Sequence, residues 1–280
     1  MRVEPQYDPG TNTLTYLVWD EATRDAVVID PLLDFDPAQV AVRTSSIDAL
    51  QRRIAQEGLT LRWILETHVH ADHLSGAAEL RGRTGAPVAI GARISAVQAT
   101  FAPLFDLPVP GIDAFDRVLE DGEELAAGSL RVVVLATPGH TPACVSYRIG
   151  DALFVGDCLF LPDYGVGRCD FPGGDAETLY RSVQRIYALP PETRIFVGHD
   201  YQPGGRPLAW QTTVAESRAQ NVQLWASRGQ EDFVAFRRGR DATLSPPRLL
   251  LPSLQVNIHG GRLPEPHPNG RRYLVLPLTL

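Results

Sequence analysis

The sequence predicts a layered α/β fold, with sheets inside and helices outside. Three observations predict it. Short apolar, β-rich runs occur in both halves of the chain, helix-periodic stretches separate them, and no unit of roughly 20–50 residues repeats. A length of 280 residues suits one sizeable domain carrying an extension.

The elements follow in order. Asn12 to Trp19 alternates and is β-rich, and Asp25 to Ile29 resumes as a second strand, so the two predict a hairpin. Pro31 to Ser45 reads as irregular. Ser46 to Gln56 has helical spacing through Ile47, Leu50 and Ile54, with Ser46 as N-cap and Gly58 as stop. Leu59 to Leu65 reads as a strand, His73 to Thr84 as a helix ended by Gly85, and Val88 to Ile90 as a short strand. Residues 99–116, rich in proline, glycine and aromatics, read as loop. Leu130 to Leu135 is a strong β run. Ala143 to Ile149 and Ala152 to Val155 pair across Gly150-Asp151. Ala176 to Leu189 is helical up to Pro190-Pro191, and Arg194 to Val197 is a strand. Val214 to Arg228 and Glu231 to Arg238 read as helices before a proline-rich tail. The expected division is a main domain over 1–210 and a C-terminal extension, packed on its core, over 211–280.

Composition narrows the function. The net charge of −7 and pI near 5.5 leave no basic face for nucleic acid, though a local basic pocket for an anion remains compatible. The three cysteines, Cys144, Cys158 and Cys169, have no CxxC spacing, so neither a disulfide framework nor a zinc ribbon is expected. The N-terminus lacks an apolar signal region, and no run reaches the roughly 18 apolar residues of a membrane span. A cytoplasmic protein is expected.

The chemistry concentrates in Thr67-His68-Val69-His70-Ala71-Asp72-His73. His68, His70, Asp72 and His73 are four ligand-type side chains at a strand end, where a loop can turn several toward one point. Imidazole with carboxylate suits Zn, Fe or Mn better than Ca or Mg. The same design recurs. His140 follows the run Leu130–Leu135 through Pro138-Gly139, Asp157 follows Ala152–Val155 through Gly156, and His199 follows Arg194–Val197 through Gly198. Singly, each would be an ordinary turn residue. Together they are strand ends that packed sheets bring to one edge. Of the seven histidines only His259 and His267 fall outside this set.

HxHxDH followed by His, Asp and His in this order resembles the metallo-β-lactamase superfamily, over residues 1–205 at least. The resemblance implies an αββα sandwich. Two branches of that superfamily share these motifs. Similarity to glyoxalase II-like thioester hydrolases would imply two metals (Zn, Fe or Mn). His68, His70 and His140 would hold one, Asp72, His73 and His199 the other, and Asp157 would bridge them. Similarity to persulfide dioxygenases would imply a single Fe(II) on His68, His140 and Asp157, a two-His-one-carboxylate set with open positions. His70, Asp72, His73 and His199 would then be outer hydrogen-bonding groups.

Three features resemble the dioxygenase branch. Gly167-Arg168-Cys169-Asp170-Phe171 looks like its GR-[TS]-DF signature, with Cys169 in place of Thr or Ser. Gly198-His-Asp-Tyr201 matches its GHDY. The tail from Asn221 through Glu231-Asp-Phe-Val and Leu249–Pro252 to Asn257 is also similar. Within the branch, Thr141-Pro-Ala-Cys144 and Asp170-Phe-Pro-Gly-Gly-Asp175 look like the bacterial beta-lactamase-like hydrolase subgroup, which is associated with sulfide detoxification. The implied reaction oxidises glutathione persulfide, or another low-molecular-weight persulfide, with O2 to sulfite and thiol; a homodimer is also implied. Arg168 is the candidate for a substrate carboxylate, against a structural pairing with Asp170 or Asp175. Tyr201 is the candidate hydrogen-bond donor over the metal, Tyr180 and Arg181 are candidate pocket residues, and Cys169 is a candidate persulfide carrier.

Overall fold

The computed structural model describes residues 1–278. Two six-stranded sheets face each other. The first contains β1 (Arg2–Asp8), β2 (Thr13–Trp19), β3 (Asp25–Ile29), β6 (Thr60–Glu66), β8 (Val88–Gly91) and β9 (Arg117–Leu119), hydrogen-bonded in that order. The second contains β10 (Glu124–Ala127), β11 (Leu130–Ala136), β12 (Val145–Ile149), β13 (Ala152–Phe154), β14 (Arg194–Phe196) and β15 (Gln211–Thr213). A small third sheet joins β4 (Leu32–Asp36), β5 (Ala41–Arg43) and β7 (Leu74–Ser75). The helices are α1 (Ser45–Gln56), α2 (Ala77–Thr84), α3 (Ile94–Phe101), α4 (Ala176–Tyr187), α5 (Val214–Gln220), α6 (Gln230–Asp241) and α7 (Leu250–Asn257).

Burial explains the layering. Every residue of β2 is buried, which a half-solvated strand would not show. Leu14, Tyr16 and Val18 enter the core between the sheets, where the Tyr16 ring meets Phe154 and Phe196 edge-on. Leu17 and Trp19 point the other way, into a second core closed by Ile47 and Leu50 of α1, Leu80 of α2, Val97 of α3 and Leu254 of α7. On the far side, Leu179, Val183 and Ile186 of α4 cover the second sheet. The arrangement is the αββα sandwich.

Several local expectations need correction. Residues 2–8 form an edge strand on β2, and the segment read as irregular contains β4 and β5. Ser46 lies inside α1 and does not cap it. Instead the Asp34 carboxylate, from β4, accepts from the Ser46 amide and hydroxyl at 2.9 Å each. The helix after the histidine motif starts at Ala77, because Leu74 and Ser75 pair with Leu33 and Leu32. Part of the expected loop is α3. The helix expected to reach Arg228 ends at Gln220, because the Asn221 side chain accepts from the amides of Gln223 and Leu224 and so offers a local alternative to helical bonding. The proline-rich tail contains α7, and β15 completes the second sheet. Among the described residues no helix is long and apolar enough to cross a membrane.

Strand direction positions the chemistry. β3 and β6 are parallel. β11 and β13 each run antiparallel to β12, and β14 is parallel to β13, so the ends of β11, β13 and β14 also share one edge. The two edges meet: Leu14 donates to the Gly198 carbonyl, and Val145 to that of Thr67, each at 2.9 Å.

Candidate metal centre

His68, His140, Asp157 and His199 therefore leave four strand ends and reach one point. Two glycines make this possible. Gly139 has φ of +138°, and a Cβ there would lie 2.4 Å from the Leu179 backbone. Gly156 has φ of +50°, and its Cβ would lie 2.4 Å from Thr67 Oγ1. A side chain at either place would push the following ligand out of line.

Each imidazole is oriented by the nitrogen facing away from the centre. His68 Nδ1 lies 2.9 Å from Thr67 Oγ1, His140 Nδ1 2.6 Å from the Arg168 carbonyl, and His199 Nδ1 3.2 Å from the Asn12 carbonyl. The Nε2 atoms of His68 and His140 consequently face Asp157 Oδ2, at 4.0 and 3.7 Å. These spacings exceed a hydrogen bond. They suit donors that each contact one ion at about 2.0–2.2 Å. Burial, reinforced by the neighbouring imidazoles, holds the His68 pKa well below its usual value, which keeps the ring neutral as a metal ligand requires.

His70, Asp72 and His73 form an adjoining group. His73 Nδ1 lies 3.5 Å from Asp72 Oδ1, and His199 Nε2 lies 3.4 Å from Asp72 Oδ2 and 3.3 Å from Asp157 Oδ1. His70 Nε2 sits 3.2 Å from Asp30 and 3.3 Å from Glu66. Burial opposes charging His70, but these two carboxylates raise its pKa well above the usual value. Asp30 and Glu66 escaped the sequence reading. The signal was present, since Asp30 follows the apolar strand β3 as Asp157 follows β13.

The donor set fits a metal. His68 Nε2, His70 Nδ1, His73 Nε2, Asp72 Oδ2 and Asp157 Oδ1 are all buried without an aligned hydrogen-bond partner. Buried polar atoms are rarely left so, and a cluster of them at one place is what an ion would satisfy.

Asp72, His140 and Asp157 open on a cavity of about 330 Å³. Its walls include Phe160, Tyr164, Val166, Phe171 and Tyr201. Tyr201 stacks between His199 and Tyr164, at 5.5 and 4.5 Å between ring centres. Tyr201 is 38% exposed; desolvation in the cavity wall and the nearby Asp157 and Asp72 raise its phenol pKa, so it remains a donor at neutral pH.

The other candidates are placed differently. Arg168 lines the cavity, but its Nε and Nη2 bind Asp170 at 2.7 Å each and its Nη1 donates to the Ser245 carbonyl. Its fork is thus occupied by the structural partner. Tyr180 packs on Phe233 and donates to the Arg228 carbonyl, while Arg181 bonds Thr178, and neither lines the cavity. The Cys169 thiol is buried and donates to Asp241, and its pKa is pushed up to about 12 by burial and that carboxylate. A thiol so protonated is a poor nucleophile. Cys169→Ser is expected to keep enzymatic turnover within about twofold and to lower stability by roughly 1 kcal/mol, read by activity assay and urea unfolding. Loss of turnover with folding intact would restore a covalent role.

The family model of the Metallo-beta-lactamase superfamily matches residues 8–199. A probable metallo-hydrolase of Burkholderia pseudomallei is 49% identical, over 99% of both chains. A beta-lactamase hydrolase-like protein of Xylella fastidiosa is 47% identical over 99% of this chain, which spans 65% of that protein's length. The mitochondrial persulfide dioxygenase ETHE1 of Homo sapiens is 34% identical over 81% of this chain and 77% of its own. Among solved structures, ETHE1 from Myxococcus xanthus superposes with a TM-score of 0.76 at 33% identity, covering 94% of this chain and all of that one.

Proposed function

Because the chain belongs to the metallo-beta-lactamase superfamily, with persulfide dioxygenases among its relatives, we propose that it is a persulfide dioxygenase with one Fe(II) per chain. The observation that carries this reading is the convergence of His68 Nε2, His140 Nε2 and an Asp157 carboxylate oxygen beside the cavity. A two-His-one-carboxylate set suits Fe(II) and leaves positions open for substrate. When bound there, iron would supply the activation of O2 and a seat for the persulfide sulfur. The substrates are a low-molecular-weight persulfide such as glutathione persulfide, and O2. The overall change takes one persulfide, one O2 and one water to one thiol and one sulfurous acid, in cytosolic sulfide detoxification.

The chain's own residues have separate tasks. Thr67, Arg168 and Asn12 hold the outward nitrogens of His68, His140 and His199, so the inward ones are aimed before any ligand arrives. Phe160, Val166 and Phe171 keep water from the reacting sulfur. The protonated Tyr201 hydroxyl, on the cavity wall beside His199, is available to donate a hydrogen bond to the bound substrate.

A second reading rests on the unpartnered His73 Nε2 and Asp72 Oδ2, which could take a second metal and support thioester hydrolysis. Anaerobically purified protein is expected to hold one iron per chain and to consume O2 on addition of glutathione persulfide. Two metals, hydrolysis of S-lactoylglutathione and no oxygen uptake would overturn the dioxygenase reading.

A further inference from the structure

The cavity wall contributed by the C-terminal segment carries two cations without a partner. Of the charged groups lining the cavity, Arg168 is paired with Asp170, Arg237 is paired with Asp241 and bonded to Gln223, and Asp72 and Asp157 face imidazoles. Arg240 and Arg248 remain. Among the described residues, neither guanidinium has an acidic group within ion-pair distance or a side-chain hydrogen bond. Arg240 is half-buried and Arg248 exposed. In a chain of net charge −7, two unpaired cations at one cavity mouth form a local field for anions.

Their position is fixed from both ends. Next to Arg240, Asp241 accepts from the Cys169 amide at 3.0 Å, tying α6 to the wall beside His140. Beyond Arg248, helix α7 ends in Asn257. Its amide nitrogen donates to the carbonyls of His70 and His73 at 2.8 Å each, and its oxygen accepts from the Ser75 amide at 2.8 Å. The segment bearing the two arginines is therefore bound to the ligand loops on either side.

We infer that Arg240 and Arg248 select the thiol carrier by binding its carboxylates, with the sulfur directed inward to His140 and Asp157. The inference relies on the reading above only for the substrate being a thiol-borne species. Guanidinium matches carboxylate in a planar fork. Carriers with free carboxylates are admitted, and esterified or neutral carriers are disfavoured. Arg168, held by Asp170, has no part in this.

The test is calorimetric titration of the metal-loaded full chain with glutathione and with glutathione diethyl ester. Wild type is expected to bind the acid at least about tenfold more tightly than the ester, a difference that shrinks with added salt. The double variant Arg240→Met with Arg248→Met is expected to lose that difference, and the double lysine variant to keep part of it. Equal affinity of wild type for acid and ester overturns the inference, and so does undetectable binding of glutathione; neither outcome depends on a variant folding. A folded double-methionine variant that retains the preference overturns it as well. Binding is read without turnover, so failure of the dioxygenase reading would show separately, as absent oxygen uptake with the acid–ester difference intact.

Discussion

On the proposed dioxygenase reading, His140→Ala is expected to abolish metal retention and to lower oxygen uptake on the order of 10³-fold or more, while the fold survives. His140 reaches the centre from β11, in the opposite sheet to His68, and both Nε2 atoms face the same Asp157 oxygen. Removing one imidazole leaves two protein donors, too few to hold an ion against water. The side chain is small and lies at the cavity, and its one orienting bond is to the Arg168 carbonyl, so the lost packing is modest. Metal analysis and circular dichroism on the same sample separate the effects. A variant that keeps its metal and activity would remove His140 from the candidate ligand set. One that is unfolded would make it a structural residue.

Asn257→Ala is expected to be the most destabilising polar substitution near the centre, by about 3–5 kcal/mol. The side chain is 4% exposed and makes three hydrogen bonds at 2.8 Å, to His70, His73 and Ser75. Truncation strands one amide and weakens the partnering of two carbonyls in a buried loop, each at a cost of roughly 1–3 kcal/mol. Asn257→Asp restores the acceptor for Ser75 but turns an oxygen toward two carbonyls, so it rescues little. The same loop carries the ligands, so metal affinity is expected to fall by about 10–100-fold. Denaturant unfolding and metal titration read the two effects. A stability loss below about 1 kcal/mol would show that the loop holds itself.

The convergence of the candidate ligands was legible because its signal is repeated and local: an apolar strand, a glycine, then a ligand-type residue, at Gly139-His140, Gly156-Asp157 and Gly198-His199. The layered α/β arrangement was legible from the same strands, and the αββα sandwich from the resemblance that the histidine motif carries. What stayed hidden depends on long-range partners. Glu66 follows the expected strand Leu59–Leu65 without distinction until His70 is seen beside it. Asp34 reads as a loop acid until it caps α1 from another element. At Arg168 the sequence leaves a substrate carboxylate and a pairing with Asp170 or Asp175 equally open, and the geometry shows Asp170 closing its fork. Arg240 and Arg248 have no local signature, because what distinguishes them is the lack of a partner. The short strands β4, β5 and β7 are sustained by pairing with each other rather than by their own pattern.

The tie between Asn257 and the histidine loop bears on the order of events during synthesis. A ribosome delivers His68 before His140 and Asp157, and Asn257 after all three. When His68, His70 and His73 have been made, the nascent chain has neither the opposite sheet, with its His140 and His199, nor the residue that pins the loop. Domains fold as units once enough chain has emerged. Pinning of the 68–73 loop thus waits on chain made well after it, so the loop and its partner sheet are completed together.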